Sequence, residues 1–178
     1  MVDLGISARS KVAYWGVFAA LALALSFAES WVAPLLQLPL GVKPGLSNIA
    51  VMLAAGVLGL PAGLAVALAK ALFAGFTRGL TALLLSGAGG LCSALLVGLL
   101  LRRGHRQAQK QTKTGVTATG VGILGGVTHN LAQLALAALL TQTPGVFWLL
   151  PQMIVCGVIA GAVTGTLAGR IRILLHQA

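Results

Sequence analysis

The chain has 178 residues, of which 58% are hydrophobic and only 8% are charged. An ordinary soluble domain carries about a quarter charged residues, so the two acids and twelve Lys/Arg residues of this chain could not cover a soluble surface. The composition excludes a soluble globular protein and predicts that membrane lipid is the solvent. At this length, one domain covering residues 1–178 is expected.

Long uncharged stretches predict an all-α, polytopic membrane protein with six transmembrane helices. Four stretches approach the ~20 residues that cross a bilayer, and the region from residue 46 to residue 76 has room for two shorter ones. Because glycine and proline interrupt that region at residues 59–63, a hairpin is favoured over one long helix. The predicted spans are residues 12–28, 46–60, 62–76, 80–101, 116–140 and 146–168.

Nine of the twelve basic residues fall into three groups that predict the orientation. The groups are Arg9 with Lys11, the run from residue 102 to residue 113, and Arg170 with Arg172. Six spans place all three groups in the cytoplasm, as the positive-inside rule requires, whereas five spans would place the middle group outside. We therefore expect a bacterial inner (plasma) membrane protein with both termini in the cytoplasm, and no nucleic-acid partner.

The first predicted helix has an alternative interpretation as a cleaved secretory signal. Basic residues precede an apolar core, and Ser26-Phe27-Ala28 resembles a small-x-small cleavage site. The apolar core exceeds the usual length of about 7–15 residues for a signal. A retained helix is therefore favoured.

Small residues recur at four-residue spacing along several predicted helices. In a bilayer, such stripes let helix backbones approach closely, because lipid gives helices no hydrophobic drive to associate. Packing within the protein is favoured for most stripes, but Ala20, Ala24 and Ala28 on the first helix have a second interpretation as a docking face for a partner helix. The other stripes are Gly90, Ala94 and Gly98; Gly122 and Gly126; and Gly157, Gly161, Gly165 and Gly169.

A few polar residues interrupt the predicted spans and indicate a binding site. An ionisable residue at the centre of a membrane helix costs about 2.5–3.5 kcal/mol, so it usually faces a polar cavity or a partner. His129, Asn130 and Gln133 share one helix face by their spacing, and this face continues the Gly122 and Gly126 stripe into the bundle. The predicted substrate-binding residues are Glu29, Lys43, Asn48, Lys70, Arg78, His129, Asn130 and Gln133.

These residues predict a pocket that opens to the outer face. Its cationic donors are Lys43, Lys70 and Arg78, with amide and imidazole groups deeper in, so it should favour an anionic, partly apolar small molecule. In the alternative, each residue is satisfied separately, with Lys43 and Arg78 in outer water and Lys70 extending towards the interface. Glu29 has the further interpretation of an ion-pair partner for one of the cations.

Three segments resemble the Gx transporter family, which is also catalogued as heptaprenyl diphosphate synthase component I. They are residues 41–49 (GVKPGLSNI), 86–91 (SGAGGL) and 125–133 (GGVTHNLAQ). The family is similar to the substrate-binding S components of energy-coupling-factor transporters, which are six-helix membrane proteins. The resemblance covers residues 11–169, and Pro44 departs from it, since an apolar residue is expected there.

The resemblance implies a binder of a vitamin-like molecule or cofactor precursor near the outer face. It also implies a separate coupling transmembrane protein and ATPase subunits, with Ala20, Ala24 and Ala28 docking the coupling protein. The chain has no G-x-x-x-x-G-K-[ST] loop to hold the phosphates of a nucleotide. Energy for transport is therefore expected from these partners.

Three functions follow as hypotheses. The first is the substrate-binding membrane subunit of a small-molecule uptake transporter. The second is a non-catalytic membrane subunit or anchor in heptaprenyl diphosphate synthesis, because diphosphate chemistry with Mg²⁺ needs clustered carboxylates and Asp3 lies far from Glu29 in the sequence. The third is a scaffold without a ligand. No catalytic residue, cofactor or metal site is predicted, since Cys92 and Cys156 lie in apolar stretches.

Overall fold

The computed structural model describes residues 8–35, 45–109 and 117–177, and every regular element in these ranges is a helix. The all-α fold with six α-helices is therefore confirmed for the described part of the chain. A short 3₁₀ helix, Pro144–Leu149, precedes the last of them. The α-helices are α1 (Ala8–Leu35), α2 (Asn48–Val57), α3 (Leu60–Arg78), α4 (Leu80–Gln109), α5 (Ala118–Thr141) and α6 (Leu150–Gln177).

Five apolar helical segments are long enough to cross a bilayer, so the protein is a multi-pass membrane protein. Helix α2 differs from them, because its ten residues rise only about 15 Å, half of the ~30 Å hydrocarbon core. A crossing of the bilayer by the segment that contains α2 remains a prediction. The five long segments are Val12–Val32, Leu60–Arg78, Leu80–Leu101, Ala118–Thr141 and Pro144–Ile171.

The predicted interruption between the second and third helices lies at Leu58 and Gly59. Gly59 precedes α3 with a φ of 96°, a left-handed conformation that glycine adopts without steric cost. Pro61 follows in the first turn of α3, where its missing amide hydrogen breaks no helical hydrogen bond. These two residues turn the chain back, so that α2 and α3 form a hairpin.

Helix α2 occupies the centre of the bundle. It packs against α1, α3, α4, α5 and α6, and most of its residues are buried. A ten-residue helix covered on all sides can begin at mid-depth, because neighbouring helices rather than lipid surround its terminus. Its buried residues are Asn48, Ala50, Val51, Met52, Leu53, Ala54 and Ala55.

The long helices run up and down, so that alternate connections lie at the same end. Tyr14 near the start of α1 and Ile171 near the end of α6 pack on the same core cluster as Ala62 at the start of α3. Leu101 on α4 and Ala118 on α5 line one apolar crevice at this end. We call this end of the bundle the basic end, because its helix termini carry the first and last basic groups and the start of the middle one.

Glycine stripes hold α5 against α6 at backbone contact. A Cβ atom at Gly122 would lie 2.6 Å from the Cα of Gly165, and one at Gly157 would lie 2.9 Å from the Cα of Val127. No side chain fits at such separations, so these positions require glycine. The prediction that these stripes pack within the protein is confirmed for α5 and α6.

The alanine stripe of α1 behaves differently. Ala20, Ala24 and Ala28 are all exposed, whereas Phe18 and Ala22 on the other side of the helix are buried. Packing inside the described part of the protein therefore does not account for the stripe. Its docking to a partner helix remains a prediction.

Candidate functional site

Polar side chains from five helices and the turn before α2 meet inside the bundle. Each is at most 3% exposed, although such residues are rarely buried in an apolar interior unless they are paired. We call this set the polar cluster. Its members are Glu29, Ser47, Asn48, Lys70, Ser93, His129, Asn130 and Gln133.

The polar cluster lies near the middle of the bilayer-spanning part of the bundle. Lys70 is ten residues beyond the start of α3, and His129 is eleven residues beyond the start of α5. At about 1.5 Å rise per residue, both lie roughly 15 Å from the basic end. The first residue of α2, Asn48, lies at the same level, because its amide bonds with Ser93 inside the cluster.

One part of the polar cluster is charged. The hydroxyl of Ser47 donates to Oε2 of Glu29 at 2.7 Å, and Nζ of Lys70 donates to the Ser47 hydroxyl oxygen at 3.2 Å. Ser47 thus bridges the carboxylate and the ammonium group. Opposite charges stabilise each other strongly where water is excluded, so the expected cation partner of Glu29 is Lys70, through Ser47.

The other part of the polar cluster consists of amides and an imidazole. Nδ2 of Asn130 donates to the backbone carbonyl of Met153 at 2.8 Å, which ties α5 to α6. Nε2 of Gln133 lies 2.8 Å from Nε2 of His129. Since an amide nitrogen only donates, the imidazole accepts at Nε2 and carries its proton on Nδ1.

The turn before α2 passes directly over the α5 side chains. Gly45 has a φ of 93°, a left-handed conformation that favours glycine. A Cβ atom at Gly45 would lie 3.1 Å from Cδ2 of His129 and 3.4 Å from Oδ1 of Asn130. The absence of a side chain at Gly45 therefore brings the start of α2 against α5.

Helix α4 supplies a floor of small residues beneath the polar cluster. A Cβ atom at Gly89 would lie 2.8 Å from both Cε1 of His129 and Cγ of Gln133, and one at Gly90 would lie 3.7 Å from Nζ of Lys70. One turn further on, Ser93 accepts the 2.6 Å hydrogen bond from Nδ2 of Asn48. The small residues of α4 thus make the room that the large polar side chains need.

Several buried polar atoms of the cluster have no hydrogen-bond partner within the described ranges. Three of them are oxygens on three different helices, Oε1 of Glu29, Oδ1 of Asn48 and Oδ1 of Asn130. Nδ1 of His129, in contrast, lies against Gly89 and interacts with the backbone there. An unsatisfied buried polar group costs about 1–3 kcal/mol, and more when it is charged. Such groups in one place call for a physical explanation.

The structure brings six of the eight predicted site residues into the polar cluster, and their binding of a substrate remains a prediction. Arg78 is not buried among them, because its side chain is exposed at the last residue of α3, but it lies close enough to interact electrostatically with Glu29 and Lys70. Lys43 lies outside the described residues. The cluster therefore contains fewer cations than the sequence suggested. Its six predicted members are Glu29, Asn48, Lys70, His129, Asn130 and Gln133.

Two members of the polar cluster were not predicted from the sequence, namely Ser47 and Ser93. A serine in an apolar helix is inconspicuous, since its hydroxyl can bond the backbone of its own helix. Helical spacing gave a usable signal for Ser93, because it follows Gly89 and Gly90 by four and three residues and so shares their face. Ser47 precedes Asn48 directly, within a segment already noted for its composition.

Comparison with known proteins gives one match. A family model described as heptaprenyl diphosphate synthase component I matches residues 18–171. The matched range includes most of the chain and every member of the polar cluster. No curated protein and no solved structure matches the chain.

Proposed function

The chain belongs to the heptaprenyl diphosphate synthase component I family, and from this premise we propose that it is the substrate-binding membrane subunit of a small-molecule uptake transporter. The proposed substrate is a vitamin-like molecule or a cofactor precursor. The similarity to energy-coupling-factor S components noted in the sequence supports this class of substrate. The polar cluster provides the physical support.

The observation that carries the proposal is the group of unpartnered oxygens on Glu29, Asn48 and Asn130. A bundle selected only for stability would pair these atoms or replace them by apolar groups, because each one costs free energy when buried alone. Their presence on α1, α2 and α5 within one buried polar cluster is explained if a substrate completes their hydrogen bonds. Polar residues inside membrane proteins mark substrate pathways in this way.

The short helix α2 supports the same proposal. Many membrane transporters place their substrate near the midplane, against helices that begin or end within the bilayer. Helix α2 begins at Asn48, at the level of Lys70 and His129, and its preceding turn lies over the α5 side chains. Because the cluster is buried, a substrate would reach it only when neighbouring segments separate, which would couple binding to a change of conformation.

The partners proposed for transport are a coupling transmembrane protein and ATPase subunits. The sequence contains no phosphate-binding loop of the G-x-x-x-x-G-K-[ST] type, so nucleotide hydrolysis is assigned to other chains. The exposed stripe of Ala20, Ala24 and Ala28 supports α1 as the docking helix, since small residues let a partner helix approach closely.

The experiment that tests the proposal is mass spectrometry of small molecules retained by the full chain after purification in mild detergent. We expect a retained molecule in the wild-type protein, and about five- to tenfold less of it in Asn130→Leu, the loss expected when one hydrogen bond to a ligand is removed. The matched control is Thr166→Val. Thr166 is exposed on α6 and bonds only its own helix, through the carbonyls of Ala162 and Val163.

Retention is to be compared at equal amounts of folded protein, judged by size-exclusion chromatography and thermal melting. Equal retention in Asn130→Leu and the wild-type protein would remove Asn130 from the proposed site. If nothing were retained that depends on the cluster, the transport function itself would be refuted.

The second candidate function is a non-catalytic membrane subunit in heptaprenyl diphosphate synthesis. The description of the family favours it, since a first component implies others. A catalytic role is disfavoured, because the chain has only two acids, Asp3 and Glu29, and Glu29 is buried and bonded to Ser47. Affinity purification from the native host separates the two candidates: transport predicts co-purified ATPases, and the second candidate predicts a prenyl diphosphate synthase.

A further inference from the structure

We propose that the substrate is a neutral molecule that presents N–H or O–H donors to the polar cluster, rather than an anion. The inference rests on the proposed function and specifies its substrate class. The inference is based on which polar atoms of the cluster already have hydrogen-bond partners in the protein and which do not.

Three side-chain donors next to the unpartnered oxygens already have acceptors in the protein. The Ser47 hydroxyl donates to Glu29, the Asn48 amide donates to Ser93, and the Asn130 amide donates to the carbonyl of Met153. Glu29, Asn48 and Asn130 each keep one oxygen that has no partner in the described ranges. A substrate that satisfies these oxygens must bring hydrogen-bond donors.

The charges of the polar cluster also disfavour an anion. Lys70 supplies a positive charge, but Ser47 links it directly to the carboxylate of Glu29. An anionic group placed beside Lys70 would therefore lie close to Glu29 as well. A carboxylate or phosphate also brings only acceptors, so it would leave the oxygens of Asn48 and Asn130 unpaired, at about a fivefold or greater loss of affinity for each.

This inference revises the substrate expected from the sequence. The anionic preference was based on three cations, Lys43, Lys70 and Arg78. Among the described residues, Arg78 is exposed at the end of α3, and both Arg78 and Lys70 have Glu29 as a counter-charge. A diphosphate group is rich in acceptors and is therefore among the groups that this cluster should reject.

Two substitutions of Asn48 test the substrate class. Asn48→Asp keeps an acceptor oxygen, can accept a hydrogen bond from the Ser93 hydroxyl, and adds a negative charge, whereas Asn48→Leu keeps the branching at Cγ but removes the acceptor. The full chain is purified in detergent and its retained molecules are identified by mass spectrometry, as for Asn130→Leu. We expect Asn48→Asp to retain about five- to tenfold more than Asn48→Leu. Added inorganic diphosphate should not displace the retained molecule.

Each outcome decides between the alternatives. A retained neutral molecule bearing N–H or O–H groups, with the expected order of the two variants, supports the inference. A retained anion that diphosphate displaces, and that is lost equally from both variants, overturns the inference but leaves the transport function standing. If no retained molecule depends on Asn48 or Asn130 while Thr166→Val matches the wild-type protein, both the inference and the proposed function fail.

Discussion

Lys70 is the largest fully buried side chain in the described ranges, and its position illustrates how a charge is accommodated in this bundle. Its ammonium group reaches Glu29 through Ser47, so neither charge is left alone in the apolar interior. Removing one member of a buried pair usually costs more than removing both, because the remaining charge has no partner and no water.

We expect Lys70→Met to lower the free energy of unfolding by about 3–5 kcal/mol, since it removes the buried cation that Ser47 links to Glu29. The double variant Glu29→Gln with Lys70→Met should recover most of that loss, because it removes both charges at similar volume. Thermal or denaturant unfolding in detergent measures both effects. A double variant as unstable as Lys70→Met would show that the two charges are not energetically coupled.

The sequence predicted His129, Asn130 and Gln133 as inward-facing, because helical periodicity is a local property that glycine stripes and polar residues report directly. It did not predict the bridging role of Ser47. That role depends on residues 18 and 23 positions away in the chain, on α1 and α3. Hydrogen bonding between distant segments leaves no periodic signal.

Among the helices, α4 shows how a small-residue stretch can serve a site rather than a helix dimer. Its residues Gly89 and Gly90 lie under the side chains of His129 and Lys70. Gly87 belongs to the same stretch but has open space around it, since a Cβ atom there would meet only Ala71, at 3.8 Å. Gly87 and Gly89 therefore differ in their role, although both belong to the same glycine-rich stretch.

This difference gives a matched pair of substitutions. Gly89→Ala should displace the His129 ring and the Gln133 side chain, because a Cβ atom would approach both at 2.8 Å. We expect a loss of about 1–3 kcal/mol in stability, as in other overpacked sites, together with reduced retention of the bound small molecule. Gly87→Ala should change neither property.

Thermal melting and retained-ligand mass spectrometry are measured on both variants under the same conditions. Similar results for Gly87→Ala and Gly89→Ala would contradict the role of α4 as the floor of the polar cluster.

In the bundle as a whole, the up-and-down order of the helices brings the first and last basic groups and the start of the middle one to the same end. The positive-inside rule then places the basic end in the cytoplasm. The connection between α5 and α6, which contains exposed Thr143, would face the opposite side. This orientation is a prediction that single-cysteine labelling tests.

The background for labelling is the chain with Cys92→Ala and Cys156→Ala, which removes the two native thiols. In it, Thr143→Cys should react with a membrane-impermeant maleimide in intact cells. Ala118→Cys, exposed at the basic end, should react only after the cells are permeabilised. The reverse pattern would invert the proposed orientation, and labelling of both in intact cells would contradict the basic end as a cytoplasmic surface.

The amino-acid sequence alone was sufficient to predict that membrane lipid is the solvent and that the fold is all-α. It also predicted the helix break at Gly59 and the inward face of α5. These follow from hydropathy, helical spacing and turn chemistry, all of which operate over a few neighbouring residues. Only the tertiary structure showed that α2 is half as long as a spanning helix and lies at the centre of the bundle. A helix can begin inside the bilayer only where other helices cover it.

The make-up of the polar cluster was likewise decided by packing between distant segments. Lys70 and Arg78 lie eight residues apart on the same helix and were both predicted to line the pocket, yet one is buried near Glu29 and the other is exposed. Which polar atoms are paired, and which oxygens remain free to bind a donor, depends on contacts between helices. Such contacts are set by the shapes of all the side chains together, and no single stretch of the chain encodes them.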